Sequence, residues 1–172
     1  MRTIVVSSVR VLVAAFLFIS FMPLSAYSAQ PLRVTVGTYV NGIQDISFKD
    51  SKYVIDLYIW FRWTPEATLE DYKPLDSFEI TNGRIDNKFS IVEKTIGNVK
   101  YVSARVLATI SEPWRLKAFP FDRHLIAVHI EDGGHVLSEV VFEPDRDNSR
   151  VSDEVRISGW SLSGFKTSVA DH

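Results

Sequence analysis

No cysteine occurs among the 172 residues, which excludes a disulfide framework and leaves the chain dependent on its apolar core. An excess of basic charge is missing too. Lys and Arg number 19 against 21 Asp and Glu, a net charge of −2, and that balance argues against nucleic acid as a partner. Repeats and low-complexity tracts are absent, no stretch keeps a helical period for longer than a turn, and beyond the N-terminal segment no apolar run is long enough to cross a bilayer.

The N-terminus is built differently. Arg2 and Arg10 supply positive charge, residues 11–21 form an uncharged apolar run, and small residues follow. This is the pattern of a secretory signal peptide over residues 1–28, cleaved after Ser28 or Ala26. A spanning helix needs about 20 apolar residues, and Pro23 further weakens that reading. Removing 28 of 172 residues leaves 144, one ordinary domain (29–172). Both leader arginines go with it, so 17 basic residues (19 less two) face 21 acidic ones, a net of −4.

From Arg33 onward the apolar period is two. Residues 33–40 place Val34, Val36, Thr38 and Val40 on one side. Residues 53–63 set Tyr53, Ile55, Leu57, Ile59, Phe61 and Trp63 on a core face, against Val54, Asp56, Tyr58, Trp60 and Arg62. Residues 101–110 repeat the pattern with Val102, Ala104, Val106, Ala108 and Ile110, and residues 125–130 alternate after a Phe-Pro-Phe-Asp turn. Asn41-Gly42, Asn82-Gly83 and Asp86-Asn87 read as turns, residues 64–75 as a loop with room for one turn of helix, and residues 144–153 as a mobile polar loop. Further strands are expected at 77–81, 89–94, 137–142, 155–157 and 160–169. Around ten short strands with frequent turns predict an all-β chain folded as a β-sandwich.

Residues 114–132, WRLKAFPFDRHLIAVHIED, carry the most specific signal. Their Phe119, Pro120, Phe121 and Asp122, followed by the polar His124, resemble the signature loop of the pentameric ligand-gated ion channels, the Cys-loop receptor superfamily. Where eukaryotic members carry a bridging cysteine pair this chain has Glu112 and Ile126, so it resembles the bacterial type. Residues 39–63 are similar to the first two strands of the bacterial extracellular domains, and Gly159-Trp160 to the late strand before the ligand-capping hairpin. The resemblance implies an immunoglobulin-like β-sandwich, the extracellular ligand-binding domain, here without its last strand and without the membrane helices. It also implies export to the periplasm or the outer face of the cell membrane, a homopentamer when complete, and a membrane link only through a transmembrane domain that these residues lack. Phe119, Pro120, Phe121 and Asp122 would then pass the ligand-driven shift to the pore.

By the same resemblance a small ligand, an amine or an amino acid, sits between subunits. The complementary side falls on Tyr58, Trp60, Arg62, Tyr101 and Arg105, and the principal side near residues 72–78 and 131–135, including Glu131 and His135. Where the family's second principal loop carries a tryptophan this chain reads Glu-Asp-Gly-Gly-His, which argues against a simple ammonium agonist. Enzyme chemistry finds little support. No serine lies in a nucleophile elbow, and His129, Glu131, Asp132 and His135 make a poor metal set because His135 lies beyond a Gly-Gly turn. No cofactor is expected. The alternative is a soluble periplasmic or secreted β-sandwich that binds a small molecule without any channel.

Overall fold

In the computed structural model, residues 30–66, 69–114 and 123–169 are described. Strand β1 spans Leu32–Ser47, β2 Lys52–Trp63, β3 Phe78–Ile80, β4 Gly83–Ile96, β5 Val99–Ser111, β6 Ile130–Asp132, β7 Val140–Pro144 and β8 Arg150–Val151. One helical turn, α1, covers Pro74–Ser77. The chain is all-β. A mixed sheet runs in the order β4-β5-β2-β1-β7 with β8 also on β1, and β3 and β6 form a separate two-stranded ribbon.

The alternation in β2 decides what is inside. β2 pairs with β5 without a register shift from Lys52↔Ser111 to Trp63↔Lys100, and with β1 on its other side. Successive side chains of such a central strand must point to opposite faces. The expected core face is buried throughout, from Tyr53 to Trp63, and so is the matching face of β5 from Val102 to Ile110. The ribbon covers this face, with Phe78 of β3 5.3 Å from Phe61, and Phe142 of β7 lies 5.6 Å from Phe61 within the main sheet, ring centre to ring centre. Each large side chain so buried contributes roughly 1.5–3 kcal/mol.

Several local expectations give way. Asn41-Gly42 is not a hairpin turn. β1 runs on to Ser47, and the register shifts between Val40 and Gly42. The turn comes later, at residues 48–51, where the Asp50 N–H donates to Ser47 Oγ and the Ser47 hydroxyl to the Asp50 carboxylate. Asp86-Asn87 is likewise a bulge inside one long β4, with a second irregularity between Phe89 and Val92 where Ser90 has φ 53°. Turn chemistry and bulge chemistry draw on the same residues, and a neighbouring strand that stays in register selects the bulge.

The strand expected over 125–130 joins a ladder only from Ile130, because side chains satisfy its backbone. The Ala127 carbonyl accepts from Tyr53 Oη and Asn82 Nδ2, and the His129 N–H donates to Asn82 Oδ1. Helix α1 begins at Pro74, near the end of the expected loop. The strand expected over 137–142 is β7, displaced toward Pro144 and pairing in parallel with β1. Residues 144–153 are pinned rather than loose: Asp145 and Ser149 are buried, and β8 falls within them. After a single bridge between Ile157 and Trp160, residues 161–169 join no ladder. Residues 1–28 and the Phe119, Pro120, Phe121, Asp122 tetrapeptide lie outside the described residues.

Phe61 has no exposed surface and its ring meets Phe78 of the ribbon and Phe142 of its own sheet, whereas Ile96 is 70 % exposed. Phe61→Ala is expected to cost about 3–5 kcal/mol in urea unfolding, and Ile96→Ala to stay within about 0.5 kcal/mol.

Candidate functional site

The outward face of β2 gathers all five residues expected on the complementary side. Tyr58 lies opposite Arg105, Trp60 opposite Ser103 and Arg62 opposite Tyr101, so the five side chains share one face by register. Two carboxylates organise them. Asp56, the next outward residue of β2, accepts from Arg105 Nε at 2.9 Å and from its NH2 group at 2.5 Å, while Asn41 donates to the same carboxylate. The Arg105 guanidinium lies over the rings of Tyr58 and Phe89, 5.7 and 5.3 Å from their centres. The Arg105 hydrogen bond, ahead of opposing burial, holds the Asp56 carboxyl below the ordinary carboxylate range, and the same bond raises the guanidinium.

Asp145, just past β7, is the second carboxylate. Its Oδ2 accepts from Trp60 Nε1 at 3.0 Å and from the Arg62 NH2 group at 2.8 Å, and its Oδ1 from Asn148 Nδ2 at 2.8 Å. Burial pushes this carboxyl up, but Trp60, Asn148 and the Arg62 charge outweigh it and leave it below the usual range. Only 6 % of the Asp145 side chain is exposed, against 43 % of Arg62. Both carboxylates therefore lie under their donors, and the guanidinium of Arg62 is what this part of the face presents to solvent. Gly37 makes the packing possible, because a Cβ there would sit 2.1 Å from the Trp60 ring.

The two principal-side segments also come together. β3 and β6 pair through Phe78↔Asp132, Glu79↔Glu131 and Ile80↔Ile130, and the Gly133 N–H donates to the Ser77 carbonyl. Asp132 is the hub. Its carboxylate accepts from Tyr72 Oη at 2.5 Å, Ser77 Oγ at 2.8 Å and the Gly134 N–H at 2.9 Å, and His135 Nδ1 lies 2.9 Å away. Tyr72 stands edge-on between His135 and Trp63. Burial alone would raise the Asp132 carboxyl, yet Tyr72, His135 and Ser77 leave it lowered, while burial and the same bond raise the Tyr72 hydroxyl. Glu131 accepts from Thr81 Oγ1 at 3.3 Å.

Ser77, His135 and Asp132 are the residue types of a hydrolase triad in the wrong order. A triad needs the imidazole between hydroxyl and carboxylate, and here the carboxylate lies between the other two. Among the described residues no group of three or more His, Asp or Glu is placed to hold a metal ion, and no helix is long and apolar enough to cross a membrane. A groove of about 300 Å³ lined by Gln30, Pro31, Leu32, Arg33, Thr64 and Glu66 touches none of the expected ligand residues.

At the far end of the sheet Trp114 and His124, which bracket residues 115–122, meet with ring centres 5.3 Å apart. Phe48 from the β1–β2 turn and Trp160 pack on the same imidazole. Sequence reasoning named Trp60, Arg62, Arg105 and His135 as site residues, and it placed Asp56 on the face of Tyr58 and Asp132 near His135 without pairing them. The role of Asp56 was within reach, since it stands two residues before Tyr58 on the same face. That of Asp145 was not, since 83 residues separate it from Arg62. No family model matches the chain.

Asp132 and Asp145 both have folded-state affinities for protons below those of an unfolded aspartate. The stability they contribute is fully present above the unfolded value near 3.9 and is lost as pH falls through the lower folded one. Urea midpoints are therefore expected to drop steeply below about pH 4, and Asp132→Asn, weaker at neutral pH, is expected to lose less than the parent chain between pH 6 and pH 3.

Proposed function

We propose that this chain is the ligand-binding extracellular domain of a bacterial pentameric ligand-gated ion channel, an exported immunoglobulin-like β-sandwich whose copies assemble in a ring. A small ligand binds between subunits, against Tyr58, Trp60, Arg62, Tyr101 and Arg105 of one copy and against Glu131, His135 and the Tyr72 region of the next. Ligand binding biases one arrangement of the domains over another, and the loop of Phe119, Pro120, Phe121 and Asp122 passes that bias to a membrane domain. The observation that carries the reading is the segregation of the site residues. Five predicted complementary residues share one sheet face, and two principal segments some fifty residues apart close on a single carboxylate. The ribbon packed over the sheet and the contact between Trp114 and His124 add to it.

The test is a chimera of residues 29–169 on the membrane domain of a pentameric channel, screened with amines, amino acids and divalent ions. Ligand-evoked current is expected, and Pro120→Ala is expected to cut the current at least tenfold while leaving the ligand-induced thermal shift intact. Assembled chimeras that stay silent to every compound that thermally stabilises the domain would overturn the channel reading in favour of a soluble binding protein.

A further inference from the structure

The ladder between β1 and β2 stops short at one end. Its outermost pair there is Thr35↔Arg62, although β1 begins at Leu32 and β2 reaches Trp63. Carried on in the same register, Arg33 would meet Thr64, Leu32 would meet Pro65 and Pro31 would meet Glu66. Two prolines lie in that continuation with no N–H to give a ladder, and the Leu32 N–H points the other way, to the Glu139 carbonyl at 2.7 Å. The chains part, and the groove of about 300 Å³ lined by Gln30, Pro31, Leu32, Arg33, Thr64 and Glu66 opens there. That volume is at the small end of the range for ligand sites. Its charged walls have spare capacity. Arg33 gives one NH group to Glu143 and keeps 64 % of its side chain exposed, and among the described residues its Nε and other NH2 group have no partner. Nor does any hydrogen bond or ion pair among the described residues engage the Glu66 carboxylate, the Gln30 amide or the Thr64 hydroxyl.

We propose that this groove binds a free α-amino acid, with the ammonium on Glu66, the carboxylate on the open N–H groups of Arg33, and Gln30 and Thr64 as neutral partners. Charge complementarity selects the class. An acid without an ammonium would meet the Glu66 carboxylate uncompensated, and an amine without a carboxylate would leave the free guanidinium donors unmet. A zwitterion answers both with charge-assisted hydrogen bonds. The groove is lined by one copy of the chain and shares no residue with the intersubunit site, so the proposal does not rest on ring assembly.

L-alanine is the probe, and ethylamine and propionate are its two halves. Each is titrated into the full chain by calorimetry at constant ionic strength. Alanine is expected to bind at least tenfold more tightly than either half. Glu66→Gln is expected to weaken alanine at least tenfold and propionate not at all, and Arg33→Gln to weaken alanine by as much and ethylamine not at all. Arg33→Lys keeps a charge beside Glu143 without the planar fork; it is expected to lose affinity for alanine and serves if the glutamine variant does not fold. No binding of alanine, either half binding as tightly as alanine, or an alanine affinity unmoved by Glu66→Gln would overturn the proposal. The titration needs neither a ring nor a pore, so its failure is distinguishable from a silent chimera.

Discussion

The structure depends on one strand being central. β2 is hydrogen-bonded to β1 on one side and β5 on the other, and its ladder with β5 runs its whole length without a shift. A slip of one residue would turn Asp56 and Arg62 into the core and Phe61 out to water, at a cost of many kcal/mol in buried charge and exposed apolar surface. That penalty fixes the register. Once the register is fixed, the odd positions make the core and the even positions make the face on which Tyr58, Trp60 and Arg62 stand.

Elements too short to form long ladders are held by carboxylates instead. β3 and β6 share three residue pairs, and their junction is completed by Asp132 collecting Tyr72, Ser77, Gly134 and His135. The arch between β7 and β8 is anchored by Asp145 in the same way. A buried carboxylate is costly unless its oxygens are satisfied, and each of these has three or four donors. The arrangement stabilises the irregular parts and also decides the electrostatics of the outer face, because acids that serve as anchors are turned inward while Arg62 remains open to water.

The core of β2 and β5 was legible because alternation is a local property with a period of two, and each odd residue declares its side without reference to the rest of the chain. Turns were less legible. Asn41-Gly42 and Asp86-Asn87 carry the residues of a hairpin turn yet sit in bulges, because whether the chain reverses there depends on the neighbouring strand. The alternation over 125–130 misled in a related way: before its ladder begins at Ile130, its backbone meets the side chains of Tyr53 and Asn82 and the N–H of Thr81 rather than a continuous strand. Among site residues, Tyr58, Trp60, Arg62, Tyr101 and Arg105 were named through the resemblance, and only the pairing of β2 with β5 put them on one face.

By itself the sequence determined an all-β chain, the identity of its innermost side chains, and the absence of any disulfide to support them, since composition and alternation need no knowledge of chain path. Tertiary structure alone decided which acid meets which base. Asp145 reaches Arg62 and Trp60 only because β7 lies parallel to β1 and delivers the chain back across Gly37. Ion pairing of that kind is a matter of where the backbone travels, and no local pattern around residue 145 records the arginine waiting 83 positions earlier.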